Sequence, residues 1–250
     1  MRVETIRTYE SRLPEHDPHP YRTGAWAPNT VEVDAYDLDV VAGEIPNDLQ
    51  GIYLRNTENP LFDAITGRYH PFDGDGMLHA IRFEGGGSGG GKASYRNRFV
   101  RTAGLLAELE AKTALWAGIL ETPDLSQRDG WGARTRMKDA SSTDVIVHNG
   151  LALTTFYQCG DGYLVDPVTL EPRGVAPLNH PSFAKGATVS AHPKVDEATG
   201  ELLFFNYATE APYCHVGICD KAGALVRTIP VPLPGPRLPH DMAFTKRFAV

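Results

Sequence analysis

Two stretches decide the fold: Ser190-Ala191-His192-Pro193-Lys194-Val195-Asp196 and Leu238-Pro239-His240-Asp241-Met242-Ala243-Phe244-Thr245. Each sets a His beside a Pro, next to a short apolar run. The two histidines are 240 − 192 = 48 positions apart, too far for one helix or one hairpin. A β-propeller repeats its blade every roughly 40–50 residues. Residues one blade apart take equivalent places around a central axis, where side chains of several blades converge. Two imidazoles brought together there suit a metal ion. A lone loop His is more often only a hydrogen-bonded polar group, so the pairing, not either residue, carries the reading.

Strand signals fill the space around these stretches. Val145 to His148 and Leu151 to Phe156 flank Asn149-Gly150, a hairpin signature. Tyr163 to Asp166 follows, and Thr188 to Ala191 leads into His192. Leu202 to Tyr207 comes after Thr199-Gly200, and Cys214 to Asp220 faces Leu225 to Val231 across Lys221-Ala222-Gly223. Earlier, Gly51 to Asn56, Met77 to Phe83 and Lys92 to Val100 read as strands, and Val31 to Val41 as extended. Short strands with turns at blade-length intervals predict an all-β propeller rather than a parallel sheet. Residues 1–30, polar and Pro-rich, predict an irregular arm on a single domain spanning 1–250. Leu105 to Leu120 predicts the one helix, an insertion around 103–120, with Leu105, Leu109, Trp116 and Ile119–Leu120 on one face and Glu108 off it. That helix packs on the propeller or, in a second reading, touches a membrane surface or lines a substrate entrance. It lacks the basic face that favours membrane contact.

The order of further stretches resembles that of the carotenoid cleavage oxygenase family. They are Gly51-Ile52-Tyr53-Leu54-Arg55-Asn56, Phe72-Asp73-Gly74-Asp75-Gly76-Met77-Leu78-His79, Tyr95 to Thr102 and Asp166-Pro167-Val168-Thr169-Leu170-Glu171. Lys138-Asp139-Ala140-Ser141-Ser142-Thr143-Asp144-Val145 and Phe156-Tyr157-Gln158-Cys159-Gly160 look most like its lignostilbene (stilbene-cleaving) dioxygenase branch. The resemblance implies a seven-bladed propeller, incomplete in this chain, and a non-haem Fe(II) held by four histidines, with His192 and His240 as the first two. The other two fall beyond residue 250, so the chain is expected to be the N-terminal part of a longer protein. Expressed alone it is expected to fold poorly and be inactive, because an opened propeller exposes unpaired strand edges. The implied reaction is cleavage of an alkene C=C bond with O2 into two carbonyl products. Lys138 and Phe62 look like the branch's substrate residues, one for a phenolic oxygen and one to stack on the ring. Leu105 falls near the place of a Tyr that would contact the same phenol, and Gln158 near that of a Glu that would orient a metal-bound His. The implied substrate is a phenolic stilbene or phenylpropenoid; a carotenoid or apocarotenoid is the alternative.

Composition narrows the field. The 250 residues carry a net charge of −7 and a pI of about 5.7, so no basic field invites nucleic acid. No apolar run is long enough to span a membrane, and the charged N-terminus is no signal peptide. Three cysteines without zinc spacing fit a reducing, cytoplasmic setting. Two glycine motifs mislead. Gly86 to Lys92 spells most of a P-loop, but Ala93 stands where magnesium needs Ser or Thr, and a strand follows. Gly86-Gly87-Ser88-Gly89-Gly90 fits G-x-S-x-G, but no strand-to-helix turn follows. Phe72 to Gly76 resembles the start of a calcium loop without its later ligands. A calcium-dependent hydrolytic propeller and a non-catalytic propeller scaffold are the rival classes. The composition leaves oligomeric state open.

Overall fold

Thirteen strands build three antiparallel sheets in the computed structural model, which describes residues 1–86, 90–132 and 137–250. In the first sheet, β1 (Arg2–Thr8), β2 (Val31–Tyr36), β3 (Gly51–Asn59), β4 (Asp75–Glu84) and β5 (Lys92–Phe99) run in the order β1-β2-β5-β4-β3. The second is the meander β6 (Asp144–His148), β7 (Leu151–Thr155), β8 (Tyr163–Val165) and β9 (Pro172–Val175). The third repeats it with β10 (Lys194–Asp196), β11 (Glu201–Tyr207), β12 (Tyr213–Cys219) and β13 (Leu225–Pro232). These are propeller blades, and the ring they begin is not closed.

Period-two alternation packs the blades face to face. Ile52 and Leu54 of β3 and Leu78 and Ala80 of β4 meet Val145, Ala152, Tyr163 and Val165 of the second sheet. The next residues along, Ile146, Leu153 and Leu164, point the other way onto Val195, Leu202, Phe204 and Cys219 of the third. The middle blade is thus covered on both faces, which is why Ala152 to Thr155 are buried without a break. Phe204 is fully buried, and a Cβ on Gly217 would lie 2.2 Å from its ring. The strand opposite must therefore carry glycine there. Truncating such an aromatic costs about 3–5 kcal/mol.

The connections sort by end. Asn149-Gly150 turns β6 into β7 with φ of 49° and 75°, the left-handed pair of a type I′ hairpin. That turn, residues 197–200 and residues 221–223 all lie at one end, where His148 Nε2 meets the Gly200 carbonyl at 2.8 Å. The long connections, with described residues 100–132, 137–143, 156–162 and 176–193, gather at the other end. Loops of that kind on a rigid scaffold are where function concentrates.

Two expectations are corrected. Residues 1–30 are not wholly an irregular arm: β1 pairs with β2 from Arg2↔Tyr36 to Thr8↔Val31. All seven of its residues are exposed, so a backbone ladder holds it and no apolar alternation marks it. The remainder of the arm is anchored by buried Arg22, which pairs with Asp17 and Asp63 and lies 4.7 Å from the Tyr69 ring centroid. The helix, α1 (Ala103–Ala111), is shorter than predicted. Thr102 Oγ1 caps it by accepting from Leu105 N at 3.0 Å, and Lys112 ends it in the left-handed region at φ 56°. Leu105 and Leu109 do share its packed face, but Trp116 and Ile119 lie beyond its end. The Gly87-Ser88-Gly89 core of the two glycine motifs lies outside the described residues.

Candidate metal centre and ring-binding cleft

His192 and His240 come together at the long-loop end. His192 directly precedes Pro193 and β10, the innermost strand of its blade, so the loop 176–191 delivers it to the axis. It adopts φ 56°, a left-handed conformation uncommon for a non-glycine residue. Its Nδ1 lies 2.9 Å from Asp144 Oδ2, and its Nε2 lies 3.3 Å from His240 Nε2. A carboxylate can only accept, so Nδ1 carries the proton and the Nε2 lone pair faces His240. Lys194 Nζ then staples the two segments, donating to the His192 carbonyl at 2.9 Å and to Asp241 Oδ1 at 2.6 Å. Hydrogen bonding from Lys194 holds the Asp241 carboxyl below its usual range.

This pair fits a divalent metal. Imidazole nitrogens bound to one such ion at about 2.0–2.1 Å lie roughly 3.0–3.4 Å apart. The observed 3.3 Å falls within that span. Among the described residues no cluster of three or more ligating side chains surrounds the pair, so for a metal bound here the described residues would offer two imidazole donors and one carboxylate behind them.

That carboxylate is Asp144, which the sequence reading missed. The signal was present: Asp144, His192 and His240 are spaced by 48 residues twice over. Asp144 opens β6 and His192 lies two residues before β10, so these two take similar places at the starts of consecutive blades. Gln158, expected in the orienting role, is not hydrogen-bonded to either His; its Oε1 is buried without a hydrogen-bond partner. Carboxylates behind a metal-bound His typically matter 10- to 100-fold for metal affinity or activity. Asp144→Ala in the full-length protein should weaken iron retention by about that factor, read by metal analysis after dialysis; unchanged iron content would remove Asp144 from the site.

Two of the residues expected to bind substrate meet in a separate cleft. Phe62 and Lys138 both line it, with Tyr69, Phe72, Trp116 and Phe156 as further aromatic walls. Lys138 is not a solvated loop residue. Its ammonium is largely buried and contacts Glu108 Oε2 at 2.7 Å and Asp75 Oδ2 at 3.1 Å. Burial works against the charge, but the two carboxylates outweigh it and raise the Lys138 pKa above its ordinary value. Burial, reinforced by Glu108 and opposed by Lys138, pushes the Asp75 carboxyl up to about 6. Three protons sit on the ammonium, so one remains for a ligand after these two contacts.

Helix α1 supplies this geometry. Gly104 and Glu108, one turn apart, share a face. A Cβ at Gly104 would come within 2.6 Å of Lys138 Cγ, so the bare glycine lets the lysine stem cross the helix to Glu108. Glu108, expected off the packed face, is only 1% exposed and also accepts from Leu115 N at 2.8 Å. Asp75, within the calcium-loop-like stretch Phe72 to Gly76, is the other partner. Leu105 does not line the cleft. It is fully buried in the core cluster that contains Phe62, Met77 and Phe99. The structure does not bring the histidines into the cleft: Phe156, one of its walls, clusters with Ala191, the residue before His192.

Comparison with known proteins adds to this picture. The family profile described as RPE65, retinal pigment epithelial membrane protein, matches residues 26–250. The carotenoid 9,10(9',10')-cleavage dioxygenase 1 of Phaseolus vulgaris is 31% identical over 264 residues, covering 97% of this chain and 44% of its own length. The isoeugenol monooxygenase of Pseudomonas nitroreducens is 32% identical over 244 residues, covering 96% and 48%. Among solved structures, the lignostilbene dioxygenase of Pseudomonas brassicacearum matches with a TM-score of 0.78 at 27% identity, over 95% of this chain and 47% of that one. The chain spans about half the length of these relatives.

Proposed function

Because the chain belongs to the RPE65 and carotenoid cleavage oxygenase family, we propose that it forms part of a non-haem iron dioxygenase that cuts the C=C bond of a phenolic stilbene or phenylpropenoid into two carbonyl compounds. Members of the family are non-haem iron enzymes. The observation that carries the substrate reading is the shared cleft of Phe62 and Lys138. Aromatic walls bury a ring, and a single ammonium N–H fixes the position of its hydroxyl. When bound, the iron would supply the activation of O2 for addition across the alkene. The chain's own part is to present two neutral imidazole lone pairs, hold His192 in one tautomer through Asp144, and hold the ring hydroxyl at Lys138 Nζ. An ammonium on a phenol oxygen affects electron supply to the alkene as well as affinity, so its loss should touch kcat as well as KM.

The rival classes lack comparable support. A calcium-dependent hydrolase needs converging carboxylate and carbonyl oxygens, whereas this axis presents imidazoles. A scaffold has no use for two facing Nε2 atoms. No described helix is long and apolar enough to cross a membrane. Cys159, Cys214 and Cys219 are all free, which supports a reducing, cytoplasmic location. Metal analysis of the full-length protein tests the class: about one iron per chain is expected, and calcium alone or no metal would exclude the reading. For substrate, the full-length enzyme is expected to cleave a 4-hydroxystilbene or a 4-propenylphenol to aromatic aldehydes. Cleavage of an apocarotenoid alone would transfer the assignment to the carotenoid branch of the family.

A further inference from the structure

A lysine aimed at a ligand oxygen is usually taken as a receptor for an anion, and the surroundings of Lys138 argue against that here. One lysine ammonium lies between two acidic side chains, Glu108 at 2.7 Å and Asp75 at 3.1 Å, so acids outnumber the base in the cluster. Both carboxylates are nearly inaccessible to solvent, which leaves their field poorly screened. Asp73 adds a further acid to the lining of the cleft. Its oxygens accept from Ile119 N at 2.8 Å and His70 N at 3.0 Å, and no cation pairs with it among the described residues. Lys138 is the only basic side chain among the described residues lining the cleft.

From this we infer that Glu108 and Asp75 determine which rings the cleft accepts: an uncharged, hydroxylated aromatic ring binds, and a ring bearing a carboxylate beside its hydroxyl is rejected. The inference rests on the reading of this cleft as the ring-binding site. Lys138 then serves as a hydrogen-bond donor whose charge is already spent on its own neighbours. A neutral phenol takes the remaining N–H without adding charge. A carboxylated ring brings an anion into a cavity where acids already outnumber the base and that has no free counter-ion on the described wall. Phenols of ordinary acidity, with a pKa near 10, enter in the neutral form, and the acid-rich surroundings keep them so.

The test uses the full-length, iron-loaded protein under anaerobic conditions, with calorimetric titration of two probes. One is a 4-hydroxystilbene; the other is the same molecule with a carboxylate ortho to the hydroxyl. The uncharged probe is expected to bind at least tenfold more tightly. Glu108→Gln, which removes one acid from the cluster while keeping its shape, should narrow that gap several-fold by improving the carboxylated probe in particular. A merely structural role for Glu108 would weaken both probes alike. If the two probes bind wild type equally while Lys138→Met weakens both, the cleft is the ring site and the selectivity inference is overturned. If Lys138→Met changes neither affinity, the site reading fails and the inference falls with it.

Discussion

Replacing His192 or His240 by alanine in the full-length protein is expected to remove iron and alkene cleavage together. Each side chain gives one Nε2 lone pair, and the two atoms lie 3.3 Å apart, the spacing of neighbours on one ion. Even changes behind a metal-bound His cost about 10- to 100-fold, so loss of the ligating nitrogen itself should exceed that. The fold should tolerate both changes. His240 is exposed, and the blade cores lie in other clusters, between Leu78 and Ala152 and between Leu153 and Phe204. Thermal melting of the iron-free proteins should therefore differ little from wild type, while metal content and aldehyde formation collapse. A variant that keeps both tightly bound iron and turnover would take its residue out of the centre.

Lys138→Met should act on stability and binding at once. Removing one member of a buried ion cluster leaves its partners uncompensated, a loss of about 3–5 kcal/mol. Here the partners are two carboxylates, Asp75 and Glu108, each 1% exposed, so like-charge repulsion adds to the loss of the pairing. On the ligand side, a hydrogen bond from a charged donor contributes about 1.5–3 kcal/mol, a factor of roughly 10 to 150 in affinity for a hydroxystilbene. Denaturant unfolding measures the first effect, and titration below the unfolding transition measures the second. An unchanged midpoint would contradict the ion cluster. Unchanged hydroxystilbene affinity in a folded variant would contradict the phenol contact.

The blades were legible in the sequence because their information is local. Asn149-Gly150, Thr199-Gly200 and the apolar run Leu202 to Phe205 each mark a turn or a strand without reference to the rest of the chain. The two histidines were legible because a propeller converts sequence period into position around an axis. The same arithmetic would have found Asp144, one period earlier, had it been applied to carboxylates as well as imidazoles. What remained hidden depends on long-range burial. Glu108 read as a solvent-facing helix residue because its partner, Lys138, is 30 positions away. The β1 strand carries no apolar signal because it is exposed on both faces and held by its backbone alone. The helix reading overran because Trp116 is buried, and Ile119 partly buried, for reasons other than helical packing, in the loop that follows the left-handed Lys112.

The separation of the molecule's two ends has a practical consequence for anyone who handles the protein. Histidines, cleft and long connections share one end, while the tight turns at Asn149-Gly150, 197–200 and 221–223 occupy the other. An added cysteine for a fluorescent label, an affinity tag or a covalent link to a solid support belongs in one of these turns. Attached there, the protein would present the histidine pair and the cleft to the bulk solution, as an electrode or biosensor surface requires.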